Sequence, residues 1–267
     1  MYLPRLFLAL WCAILTTSAT AHEFWIEPEV YQVPPSGKII ARLKNGETFE
    51  GVNLAYFERR IERFDVVVGD TIRPVEARMG DNPALDVPAP VGGLVVVVHE
   101  TTPSLLTYKE WAKFLKFADH KDFADIEARH AANDFPAPPF KERYTRHAKA
   151  LVAVGDGAGR DRALGLKTEF IALTNPYAAD FDGAMRVQVT LDGQIRANAQ
   201  VEVFDRAPDN TVTVSLHRTD AEGIATVPVQ PGHAYLFDAV SIAPVADTDT
   251  DAVWDTFWAA LTFAVPG

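Results

Sequence analysis

Sulfur chemistry is almost missing from this chain: Cys12 is the only cysteine, and it lies within the first two dozen residues. If that segment is removed as a leader, no disulfide framework, thiolate metal site or cysteine nucleophile remains. Any metal must then be held by histidine, carboxylate or backbone oxygen. Catalytic signatures are missing as well. There is no G-x-S-x-G elbow, no H-E-x-x-H, no phosphate-binding loop and no glycine-rich dinucleotide fingerprint, so an enzyme is not expected. Basic residues are in the minority, 25 Lys and Arg against 36 Asp and Glu, for a formal charge of −11. That balance disfavours nucleic acid and anionic lipid surfaces as partners. Long apolar runs are lacking after residue 21: the longest, Leu94-Val95-Val96-Val97-Val98, has strand length and β-branched composition, so no membrane insertion is expected once a leader is gone. No fixed-period repeat occurs. The alternating acids Asp247-Thr248-Asp249-Thr250-Asp251 read as an exposed loop, because the glycine and terminal glutamate of a calcium loop are missing.

What the chain does have begins with a leader. Arg5 precedes an apolar run from Leu6 to Leu15 and a small-residue end, Ala19-Thr20-Ala21, the pattern of a signal peptide cleaved after an A-x-A site. As a helix, roughly ten residues cover about 15 Å, half of a bilayer core of about 30 Å. Residues 1–21 are therefore expected to be removed, placing the protein in the periplasm with His22 as its first residue.

Short strands punctuated by Pro and Gly follow: Glu23 to Ile26, Lys38 to Leu43, Phe64 to Val68, Ile72 to Ala77 and Leu94 to His99. After Pro103 the period changes. Thr107-Tyr108-Lys109-Glu110 has the form of a capping box, and Trp111, Phe114, Leu115 and Ala118 fall at helical spacing, with a second helix expected from Lys121 to Ala132. The stretch from Tyr144 to Val154 leads into Gly155-Asp156-Gly157-Ala158-Gly159-Arg160, where a domain boundary is expected. Strands resume at Leu166 to Leu173, Met185 to Leu191, Ala199 to Phe204, Val212 to His217, Ile224 to Val229, Tyr235 to Ile242 and Ala260 to Val265. The expected fold is mainly β: two antiparallel β-sandwich domains, 22–160 with a short helical insert at its end and 161–267 of immunoglobulin or transthyretin type.

At this point His22-Glu23-Phe24-Trp25-Ile26-Glu27-Pro28, Arg63-Phe64, Arg146 with Lys149-Ala150-Leu151-Val152, Thr174-Asn175-Pro176-Tyr177 and the closing Trp254, Trp258 and Leu261-Thr262-Phe263 can be set together. In this order they resemble the NikM-like family of exported proteins, catalogued as a domain of unknown function and also as a nickel uptake substrate-specific transmembrane region. The resemblance implies an accessory of nickel or cobalt uptake that partners components of a metal transporter. Thr219-Asp220-Ala221-Glu222-Gly223 with Pro231-Gly232-His233-Ala234-Tyr235 makes the second half resemble the carboxypeptidase-regulatory type of sandwich, which does not itself imply peptidase activity.

From the residues themselves, the chemistry centres on His22. A free α-amine and the Nδ1 of the same histidine can close a six-membered chelate ring, and unperturbed groups of these types titrate near about 7.7–8.0 and 6.5. Nickel, cobalt, copper and zinc all accept such nitrogen donors, copper most strongly. His99, ending the most apolar strand, is the expected histidine partner, and Glu23 the expected oxygen ligand, although a strand would turn Glu23 away from His22. His120 and His130 are ten residues apart, too far to share one helical face as ligands. His147, with Arg143, Arg146 and Lys149, is expected to pair with carboxylates. Two other readings stand beside the metal accessory: a structural or interaction sandwich binding a protein or glycan, and a copper oxidase with an amino-terminal histidine, which needs a second histidine converging on the metal.

Overall fold

The computed structural model describes residues 22–267 except 91 and 248. The leader and its cleavage site lie outside the described residues. Of the described residues 52% are in strand and 8% in helix, so the fold is mainly β. The first half contains β1 (Glu23–Pro28), β2 (Gln32–Val33), β3 (Lys38–Glu47), β4 (Glu50–Leu54), β5 (Ile61–Val68), β6 (Thr71–Pro74), β7 (Leu85–Pro88), β8 (Gly93–Thr101) and β9 (Ser104–Tyr108). Helices α1 (Trp111–His120) and α2 (Ile126–Ala132) precede the long β10 (Phe140–Val154). The second half contains β11 (Thr168–Ala172), β12 (Ala184–Leu191), β13 (Gln194–Ile195), β14 (Gln200–Arg206), β15 (Val212–Arg218), β16 (Ile224–Pro228), β17 (Ala234–Pro244) and β18 (Ala252–Ala264).

These strands form three sheets. The largest runs β15-β14-β17-β18-β10-β8-β5-β6, with β2 and β9 also on β10. β1, β3, β4 and β7 form a second sheet, and β11, β12, β13 and β16 a third. Period-two alternation explains how they stack. In β8, Val95 and Val97 enter the core shared with the β1 sheet, while Leu94, Val96 and Val98 enter the core shared with the β11 sheet. β10 divides likewise, Ala148, Ala150 and Val152 to one side and Leu151 and Ala153 to the other. Two sandwich packings thus share one central sheet. The glycine-rich stretch at 155–160 connects β10 to the loop before β11, and the central sheet takes strands from both sides of it.

Two local expectations change. Thr107 does not open a helix: it lies in β9, paired to Lys141 of β10, and the residue before α1, Glu110, makes no side-chain cap. The second helix is shorter than the sequence reading, because Lys121 closes α1 and α2 starts at Ile126. Pairing is also not antiparallel throughout, since β10 runs parallel to β18 over Lys141–Ala150 and parallel to β2. Of the basic residues on β10 expected to pair with carboxylates, Arg143, His147 and Lys149 do so, whereas Arg146 donates to the His22 carbonyl instead. Arg143 bonds Asp255 and Asp247, His147 Nε2 lies 3.3 Å from Glu100, and buried Lys149 donates to Asp161 and Glu169 at 2.7 and 3.0 Å.

Candidate functional site

The amino end of the described chain is held against a hairpin. The β1–β3 register places Glu23 opposite Gly46 and Phe24 opposite Asn45, which carries His22 to the level of Glu47. His22 Nδ1 lies 3.1 Å from Glu47 Oε1, and both side chains are partly exposed. The His22 carbonyl accepts bonds from Arg146 at 2.9 Å and from Asn45 at 3.4 Å, and Asn45 also donates to the Glu23 carbonyl. The turn that follows Glu47 is anchored by Phe49. Thr48 and Phe49 adopt φ of 53° and 58°, a left-handed pair that L residues resist. Burial of the Phe49 ring offsets that resistance: the side chain is 1% exposed, edge-on to Trp25 at 5.6 Å and under the Arg206 guanidinium at 4.2 Å.

Beside this rim a cleft of about 560 Å³ opens between the β1 sheet and the central sheet, with Asn45, Asn53, His99, Tyr144 and Arg146 in its lining. His99 is cross-strand neighbour of Phe64, and its ring sits 5.1 Å from Phe64 and 5.0 Å from Phe24. The imidazole is buried, and neither ring nitrogen has a hydrogen-bond partner among the described residues. Burial pulls it down to about 3, so it is neutral at every ordinary pH. The linkage has a definite sign. An unfolded histidine takes up its proton near about 6.5 whereas the native one does not, so stability is fully present above that value and declines as pH falls towards 3, by about 1.4 kcal/mol per pH unit. His99→Phe should therefore flatten the acid limb of stability relative to the parent chain between pH values of about 6.5 and 4 in urea titrations; parallel limbs would refute the assignment.

Glu23 does not join His22. It points to the opposite face of β1, where its Oε1 accepts Lys121 Nζ at 2.9 Å. The same ammonium donates to Glu202 at 2.7 Å and Asp238 at 3.0 Å and lies 4.9 Å over the Trp258 ring. Among the described residues, these three carboxylates form the one group of three or more potential ligands close enough to share a cation. Lys121 supplies a buried positive charge there, and the half-exposed His120 places its Nε2 2.9 Å from Glu202 Oε1. His22, His99 and Glu23 form no such group. Sequence reasoning missed Glu47 because it ended β3 at Leu43; carrying the strand on to the next hairpin turn would have brought Glu47 opposite His22.

Comparison with known proteins adds a family but no activity. A family model described as "Domain of unknown function (DUF4198)" matches residues 19–243. No curated protein matches. Among solved structures, the D0-D1 domain of intimin is 12% identical, with 90% of this chain and 97% of that one covered at a TM-score of 0.24. A tetra-tandem repeat in the extending region of a large adhesion protein is 8% identical, with 91% and 49% covered at a TM-score of 0.20. Likenesses this distant carry no functional argument.

Proposed function

This chain belongs to the DUF4198 family, whose description assigns no function, and from that premise we propose that it is a periplasmic, transition-metal-binding accessory of nickel or cobalt uptake whose metal is held at the amino terminus of the processed chain. The observation that carries the reading is the approach of His22 Nδ1 to within 3.1 Å of Glu47 Oε1. Two donors each about 2.0–2.2 Å from one metal stand roughly 3 Å apart, so the pair already has the spacing of neighbouring ligands. Processing after Ala21 would add the α-amine, giving two nitrogens and one carboxylate oxygen. The fixed His22 carbonyl keeps that backbone in place. Glu23 has no part in this set, being bound to Lys121. Nickel or cobalt as cargo rests on the NikM-like resemblance; the donors themselves would also accept zinc and, more tightly, copper.

The test is calorimetric titration of nickel, cobalt, copper and zinc into protein beginning at His22, into the same protein with one alanine added before it, and into Glu47→Gln. One site is expected, weakened at least about tenfold in both altered forms, equivalent to about 1.4 kcal/mol. Equal affinity in all three would move the metal elsewhere. No binding in any of them would leave a sandwich whose partner is a protein or glycan.

A further inference from the structure

The cleft behind the His22 rim has a lining out of keeping with the rest of the molecule. The chain carries 36 acidic residues against 25 basic ones, yet the cleft is lined by two guanidiniums, Arg60 and Arg146, and by no carboxylate. Its volume of about 560 Å³ falls within the range of about 300–1,000 Å³ usual for small-molecule sites. Arg146 is set in advance: its guanidinium lies 4.4 Å over the Tyr144 ring, one terminal nitrogen is fixed on the His22 carbonyl, and its Nε has no partner among the described residues. Arg60 is exposed at the mouth. Asn53 and Asn82 add amide groups, and Ser104 a hydroxyl.

His99 makes the second, independent observation. It is 2% exposed and lines the cleft with both ring nitrogens unpartnered. A buried polar group left in that condition carries the full penalty of its lost hydration, and native structures rarely keep one without a use. An imidazole that stays neutral offers one donor and one acceptor, which suits a hydroxyl better than a charge.

We propose that this cleft binds a small organic acid, its carboxylate taken by Arg60 and Arg146 and a hydroxyl or similar group received by His99 and the neighbouring amides. A guanidinium pairs with a carboxylate through parallel N–H donors, and the aromatic faces of Phe24 and Tyr144 accept the ligand's carbon frame. The inference does not depend on the metal: the donors His22 Nδ1 and Glu47 are not among the cleft lining.

The experiment uses the processed chain freed of metal by chelator and dialysis, titrated calorimetrically with succinate, malate and citrate, and with inorganic phosphate and glucose as probes without a carboxylate. At least one acid should bind with Kd below about 1 mM. Arg60→Gln should weaken it at least about tenfold at an unchanged melting temperature, since that side chain is exposed, and His99→Phe, which keeps the aromatic packing with Phe24 and Phe64, should weaken malate or citrate more than succinate. The proposal is overturned if no acid saturates by about 10 mM, if both variants bind as the parent does, or if phosphate or glucose binds as tightly as the best acid. Because metal is excluded throughout, failure here leaves the amino-terminal metal reading untouched, and success does not establish it.

Discussion

Replacing Lys121 with methionine should cost about 3–5 kcal/mol of stability at pH 7, the range found when one partner of a buried ion pair is removed. The ammonium is 4% exposed and answers carboxylates from three strands, Glu23 of β1, Glu202 of β14 and Asp238 of β17. Burial alone would lower its pKa, but Asp238, Glu23 and Glu202 outweigh burial and hold it above the ordinary lysine value. Methionine preserves the apolar stem and removes the charge, leaving three buried carboxylates without it. The pH dependence identifies the cause. Burial pushes Asp238 up to about 7, with Lys121 opposing and Glu23 and Glu202 adding to the rise. An acid whose native pKa is raised gives stability that is fully present below its unfolded value of about 3.9 and is lost as pH rises through the native one. In the variant, with Lys121 gone, that dependence should steepen, and His120, whose pKa is raised by its hydrogen bond to Glu202 and whose charge is lost with rising pH, acts in the same direction, so the deficit is largest near pH 8 and shrinks towards pH 5. Urea unfolding at both values measures it; a deficit under about 1 kcal/mol, or one independent of pH, would mean that the ammonium is not what balances the cluster.

Trp254→Ala should cost a further large amount, about 3–5 kcal/mol by the usual cost of emptying a buried tryptophan site. Trp254 is fully buried on β18 beneath the helical insert, stacked 6.4 Å from Phe114 and edge-on to Phe135 at 5.1 Å, and it donates Nε1–H to His130 Nδ1 at 3.1 Å. His130 passes the restraint on by bonding the Pro136 carbonyl at 3.0 Å. Tyr108, Phe114, Ala118, Ile126 and Phe140 complete this small core, which is separate from the two sheet cores. The loss should therefore appear first in α1 and α2: hydrogen exchange should show their amides opening while β8 and β12 stay protected. Uniform loss of protection would mean that the insert is not a separable unit.

Much of the fold could be read from the chain because its strands carry their own signal. Runs such as Leu94-Val95-Val96-Val97-Val98 are strand-forming on composition, and their lack of polar alternation reflects burial on both faces of the central sheet. What escaped was decided by partners distant in sequence. Thr107 has the local chemistry of a helix cap, but ladder pairing of Ser104–Tyr108 to β10 prevails. β18 begins at Ala252, well before the expected Ala260, because Trp254 and Trp258 are buried within it. The acids around Lys121 lie 81, 98 and 117 residues away along the chain, so no spacing could have announced them. His22 was legible as a candidate from its place after Ala21, and Glu47 was not, since only the hairpin register brings the two together.

The parallel pairing of β10 with β18 sets an order of events for a chain that emerges amino end first. β10 lies at the middle of the central sheet, yet one side of it from Lys141 to Ala150 is completed by β18, the strand farthest along the described residues. Contacts of such long sequence separation form late, and until they form the edge of β10 is open to any other strand that passes. Arrival of β18 is therefore the step that covers this side of β10 and joins the two halves of the central sheet.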